Sequence, residues 1–189
     1  MSALKGRTYI LSGPCLALSR SVVSTPKRLA SECYTGFGRF FLTICVDSRR
    51  HEFAAALAVE RARSELLRTL RDYRFEGIVY SFMPDHFHGL FEAASEDCNM
   101  VKCADMFKQR SGFAHKKASG RKLWQKGSFD RVLRREEATL DIIAYIVANP
   151  VRAGLCRDQR LYPYVGSTLY TIDELIDAVG SRPDTWRPR

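Results

Sequence analysis

Two of the chain's four histidines, His86 and His88, stand two residues apart in the stretch YSFMPDHFHGL at 80–90. Alternate side chains of a β-strand share a face, so both imidazoles would project to one side and Phe87 to the other. Neutral imidazole is the commonest nitrogen ligand of divalent cations, and two held side by side offer part of a metal site. The same spacing also suits a half-buried cross-strand pair, so the motif alone leaves both readings open. A second candidate is Tyr145 in EEATLDIIAYIVANP, which has Asp141 one helical turn before it and Asn149 one turn after. In that row the phenol is either a reactive group or a boundary residue with its hydroxyl in water, and Asn149 is either a ligand or a helix-end residue.

The elements that must position these groups are legible from periodicity. GRFFLTICV reads as a buried strand, followed by the polar turn DSRRH. The stretch EFAAALAVERARSELLRTLRDY carries Phe53, Leu57, Leu66, Leu67 and Leu70 at helical spacing. FEGIVYSF and HFHGLFEA then form a hairpin about Met83-Pro84-Asp85, and a second helix runs from about Asn99 to His115. A loop, a short strand RVLR and a third helix ending at Pro150 complete the order β-α-β-β-α-β-α. Such an order predicts an α+β fold, a ferredoxin-like antiparallel sheet with helices packed on one face and the other face open for a site. The chain divides into a basic N-terminal arm (1–35), one domain (36–155) and a C-terminal tail with a short helix (156–189). The arm has Lys5, Arg7, Arg20, Lys27 and Arg28 and no acid before Glu32, a pattern shared by flexible arms and, faintly, by transit peptides.

With 30 Lys and Arg against 21 Asp and Glu in 189 residues, the formal net charge is +9, which favours a polyanionic partner, nucleic acid first. Between Phe107 and Phe129 lie Lys108, Arg110, Lys116, Lys117, Arg121, Lys122 and Lys126 without an acid, interleaved with Phe113 and Trp124. Cations that track phosphates and aromatics that stack unpaired bases are what single strands and hairpin ends require. Trp124 is equally suited to plug the core between loop and sheet. Arg131, Arg134, Arg135 and Arg152 flank the tyrosine helix as phosphate contacts rather than base readers. The six cysteines form no CxxC pair or regular framework and read as reduced thiols of a cytoplasmic protein. No apolar run suggests a membrane span.

Taken in order, YSFMPDHFHGLFEA, LWQKGSFDRVLR and YIVANPVRAGL resemble the single-tyrosine HUH transposases of the IS200-like group, and more narrowly their REP-associated tyrosine transposase (RAYT) branch. The likeness covers about Gly36 to Leu155. It implies an HUH-type ferredoxin-like fold, with His86, Phe87 and His88 as the HUH motif, Tyr145 as nucleophile and Asn149 as third metal ligand. Asp85 stands where many relatives have Asn. The implied reaction is cleavage and rejoining of single-stranded, hairpin-bearing DNA such as REP-like palindromes, through a 5′-phosphotyrosine link, with Mg²⁺ or Mn²⁺ as cofactor. It leaves open whether the chain works as a monomer or a homodimer. Two rival readings are a non-catalytic single-stranded nucleic-acid-binding module of the same fold and a zinc-stabilised regulatory domain using the cysteines. The first does not need His86, His88, Tyr145 and Asn149 together; the second finds little support in the cysteine spacing.

Overall fold

The computed structural model describes residues 31–133 and 136–180. Most of the basic arm, Arg134, Arg135 and the end of the tail thus lie outside the described residues. Five strands, β1 (Arg39–Cys45), β2 (Phe75–Met83), β3 (His86–Ala93), β4 (Phe129–Leu133) and β5 (Val165–Gly166), form one antiparallel sheet in the order β4-β1-β3-β2-β5. The helices are α1 (Ala56–Asp72), α2 (Met100–Ser119), α3 (Glu136–Arg152) and α4 (Ile172–Val179). The expected α+β architecture with an antiparallel sheet is present.

Strand β3 lies between β1 and β2, and its side chains divide the molecule. Phe87 and Phe91 join Phe40, Leu42, Ile44 and Phe82 against α1 and α2 in the larger core. On the other face Phe41, Val79 and Leu90 pack against Ile142, Ile143, Ile146 and Val147 of α3 and against Leu175 and Val179 of α4. The expectation of a face left open for the site is therefore corrected: α3 roofs the histidine face, because its apolar stripe has to be buried somewhere and the sheet's second face is also apolar. Residues 156–180 return to the sheet, β5 pairing with Tyr80 and Ser81 of β2.

Local chemistry explains the boundaries. Pro84 and Asp85 make the two-residue connection of the β2–β3 hairpin. Gly89 is required beside the motif, since a Cβ there would fall 2.3 Å from the Phe91 ring and 3.1 Å from that of Phe87. Asn99 caps α2 by accepting from the Lys102 amide, and Gly120, with φ of 72°, ends it. Helix α1 begins only at Ala56, and Leu57, counted with the apolar set from the sequence, lies half a turn out of phase with Leu66 and is 72% exposed. Helix α3 does not stop at Pro150 but continues to Arg152, reaching a left-handed Gly154 with φ of 70°. A proline in the last turn forfeits a single backbone hydrogen bond, and the extra residues keep Arg152 on the helix that bears Tyr145.

Candidate active site

His86 and His88 project from β3 to the same side, their Nε2 atoms 3.1 Å apart. Each ring is held from behind. His86 Nδ1 is 2.6 Å from the Asp85 carboxylate, which in turn accepts from Arg49 Nε at 2.8 Å. His88 Nδ1 is 2.8 Å from Thr43 Oγ1, its direct cross-strand neighbour on β1. The Phe41 ring stacks on His88 at a centroid separation of 5.6 Å. Arg49 reaches Asp85 from a left-handed backbone position, φ 54°, next to Ser48 with φ 56°. Such conformations cost about 1 kcal/mol each in residues with a side chain.

Tyr145 enters from α3. Its ring meets His88 edge-on at 5.3 Å between centroids, and its hydroxyl is 3.4 Å from His88 Nε2. The Arg152 guanidinium sits 4.6 Å from the Tyr145 ring centre and donates to Asn149 Oδ1 at 2.8 Å. Asn149 is buried, and its Nδ2 has no hydrogen-bond partner. Because an arginine can only donate, this contact fixes which atom of the amide is oxygen.

Both histidines are held neutral. Burial lowers the His86 pKa below 6.5 against the opposing pull of Asp85, with Arg49 and Arg152 adding to the drop. Burial pushes His88 well below 6.5, assisted by His86, Arg152 and Arg49. Neutral imidazoles are the ligating form. Two nitrogens bound at ~2.1 Å to one ion, at roughly a right angle, stand ~3.0 Å apart, so the observed separation fits a shared cation. Among the described residues no group of three His, Cys, Asp or Glu side chains could hold a metal, so a further donor must be of another type. The buried amide of Asn149 offers an oxygen of that kind, Oδ1, once the Arg152 guanidinium releases it; its unpartnered Nδ2 can only donate.

The basic run is placed differently from what its density suggested. Lys108 donates to the carbonyls of Gln125 and Gly127, Arg110 pairs with Asp72, Arg121 with Glu52 and Lys122 with Asp47. These four are engaged within the molecule, and α2 covers the sheet face away from the histidines. Lys116, Lys117, Lys126 and Arg131 are exposed. Trp124 is not a stacking platform: it is 4% exposed, packs on Phe53 and Phe107 and donates Nε1–H to Ser111 Oγ at 2.8 Å. The cations at the histidines are Arg49 and Arg152. Sequence reasoning missed Arg49, Thr43 and the contact of Asp85; the only available sign was that Thr43 lies on the strand beside the motif.

No family model matches the chain. A Haemophilus influenzae protein assigned as a REP-associated tyrosine transposase is 24% identical over 147 residues, covering 69% of this chain and 80% of the relative. Among solved structures, a REP-associated tyrosine transposase bound to a REP hairpin superposes with a TM-score of 0.65 at 22% identity, over 87% of this chain and 92% of that one. A Deinococcus radiodurans protein assigned as a transposase gives a TM-score of 0.46 at 16% identity over 69% of this chain and 95% of its own. The chain is thus similar in sequence to a REP-associated tyrosine transposase and shares the fold of the one solved with a REP hairpin.

Proposed function

We propose that the chain is a DNA strand transferase that cleaves and rejoins single-stranded, hairpin-bearing DNA with Tyr145 as nucleophile. The observation that carries this reading is the convergence of Tyr145 on the paired histidines, its hydroxyl 3.4 Å from His88 Nε2, on two elements far apart in sequence. The homologue solved with a REP hairpin supports the choice of substrate.

Each group has work to do. His86 and His88, with Asn149, would hold Mg²⁺ or Mn²⁺, which when bound withdraws charge from the scissile phosphate. Arg152 and Arg49 attract the phosphate, and Arg152 is exposed enough to meet it. Packing against His88 and Phe41 orients the Tyr145 oxygen toward the phosphorus. The phenolic proton leaves to water or to Asp141, half-buried one turn earlier on α3. The Tyr145 oxygen then bonds to phosphorus as the bond from phosphorus to the 3′-oxygen breaks. The 3′-oxygen takes up a proton, the 5′ end remains joined to Tyr145, and rejoining runs the same displacement backwards.

The test is incubation of the full chain with labelled single-stranded hairpin DNA from the flanks of its own gene, with Mn²⁺ or EDTA, beside Tyr145→Phe and His88→Ala. A covalent adduct that resists denaturing electrophoresis, needs metal and is lost in both variants is expected. Tight hairpin binding without an adduct under any metal would favour the binding-module reading instead.

A further inference from the structure

The hydrogen-bond directions around the two imidazoles start from the Asp85 carboxylate. The Asp85 carboxylate, braced by Arg49, can only accept, so His86 carries its proton on Nδ1 and offers a lone pair at Nε2. Across 3.1 Å, two lone pairs would repel, so the nearer contact places an N–H at His88 Nε2, the Tyr145 hydroxyl standing farther from that nitrogen at 3.4 Å. Its Nδ1 is then an acceptor, and the Thr43 hydroxyl, 2.8 Å away, donates to it. The same pair of rings cannot take a cation in that state, because His88 Nε2 is blocked by its proton. Ligation requires the proton on Nδ1, where Thr43 Oγ1 must accept it. A hydroxyl can reverse its role by rotating about one bond; a methyl group can play neither part.

We propose that Thr43 is the positioning residue that sets the tautomer of His88, donating to Nδ1 in the metal-free protein and accepting from it when a cation is bound. The inference rests on the two-histidine site proposed above. Geometry supports a fixed partner rather than a chance contact. Thr43 is paired to His88 in the β1–β3 register, is paired on its other side to Phe129 of β4, and lies on the face where Phe41 stacks on the same ring. Asp85 has no such freedom, so the two rings are held by unlike partners, one rigid and one reversible.

The experiment measures Mn²⁺ affinity of the DNA-free full chain by the electron-paramagnetic signal of free Mn²⁺, for wild type, His88→Ala, Thr43→Val and Thr43→Ser. Binding by wild type that His88→Ala abolishes establishes the site. Given that, Thr43→Val is expected to weaken binding about tenfold or more, as removal of a group behind a ligand typically does, while Thr43→Ser stays close to wild type. Histidine-selective ¹⁵N spectra of wild type should show the His88 proton on Nε2 without metal and on Nδ1 in saturating Mg²⁺. Thr43→Val binding as tightly as wild type, or a His88 proton that does not move, overturns the proposal while leaving the site intact. Binding unaffected by His88→Ala, or none in wild type, overturns both readings.

Discussion

Replacing Arg152 by methionine should tighten metal binding in the absence of DNA. The guanidinium holds Asn149 Oδ1 at 2.8 Å, so a cation that recruits this oxygen must first break a charge-assisted hydrogen bond. Such bonds are worth roughly 1.5–3 kcal/mol when shielded. Arg152 is largely exposed, so solvent screening brings the expectation to just under that range, about 1.4 kcal/mol or tenfold in affinity. Loss of a positive charge beside the two histidines acts in the same direction. Methionine keeps most of the apolar stem while removing every donor and the guanidinium over the Tyr145 ring. Calorimetric titration with Mn²⁺ at fixed ionic strength would read the change. DNA phosphate competes for the same guanidinium, so in wild type the hairpin should tighten Mn²⁺ binding, and Mn²⁺ should tighten hairpin binding by the same factor. In Arg152→Met that coupling should shrink, and the covalent adduct should form more slowly because a phosphate contact is gone. Unchanged or weaker Mn²⁺ affinity in Arg152→Met, in a preparation where His86→Ala abolishes binding, would refute the reasoning.

Thermal unfolding should respond to the cation, since a ligand of the native state alone stabilises by mass action; Mn²⁺ should raise the midpoint in wild type, and an equal rise in His88→Ala would place the binding elsewhere. Trp124→Phe removes a buried donor from Ser111 and should cost about 1–2 kcal/mol in urea denaturation while leaving hairpin affinity unaltered, whereas a stacking residue would show the reverse. Gly89→Ala forces a methyl group into the Phe91 ring and should destabilise by about 1–3 kcal/mol, the usual penalty of overpacking; a neutral result would mean that β3 can shift. His115, buried beside Glu52, has its pKa lowered below 6.5 by burial, with Glu52 pulling the other way and Arg61, Arg121 and Arg50 adding to the drop. The unfolded chain therefore binds this proton more readily, so the contribution is complete above pH 6.5 and declines as pH falls towards the lower folded value. His115→Gln should flatten the dependence of stability on pH in that window, and parallel curves for the two proteins would sink the assignment.

What the sequence made legible was local. The hairpin around Pro84-Asp85, the shared face of His86 and His88 and the apolar stripe of α3 follow from periodicities of two and 3.6 residues, which no tertiary contact overrides here. What it hid was pairing at a distance. Arg110 and Asp72, or Lys122 and Asp47, look like unrelated surface charges until the fold brings them together, and the density of cations in the run said nothing about which were engaged. Leu57 lies nine residues, two and a half turns, from Leu66 and so points away from the buried stripe of Val59, Ala62, Leu66 and Leu70 into water. Arg49 was invisible as a site residue because its reach to Asp85 depends on a left-handed turn in DSRR that contains no glycine to announce it. Tyr145 could be placed on a helix, but its distance from His88 depends on how α3 crosses the sheet.

The return of residues 165–179 to the sheet also bears on how the protein is made. During synthesis the chain emerges from its N-terminal end, and α1, β2, β3 and α2 can close the larger core on β1 before the rest has appeared. The second layer has no such independence: α3 shares its buried surface with α4, and β5 covers the outer edge of β2. A nascent chain that already displays both histidines therefore completes the layer that carries Tyr145 only when residues 165–179 are out. Assembly of the proposed site thus waits on residues 165–179, and a chain interrupted soon after Arg152 would carry His86, His88, Tyr145 and Asn149 without the layer that holds them together.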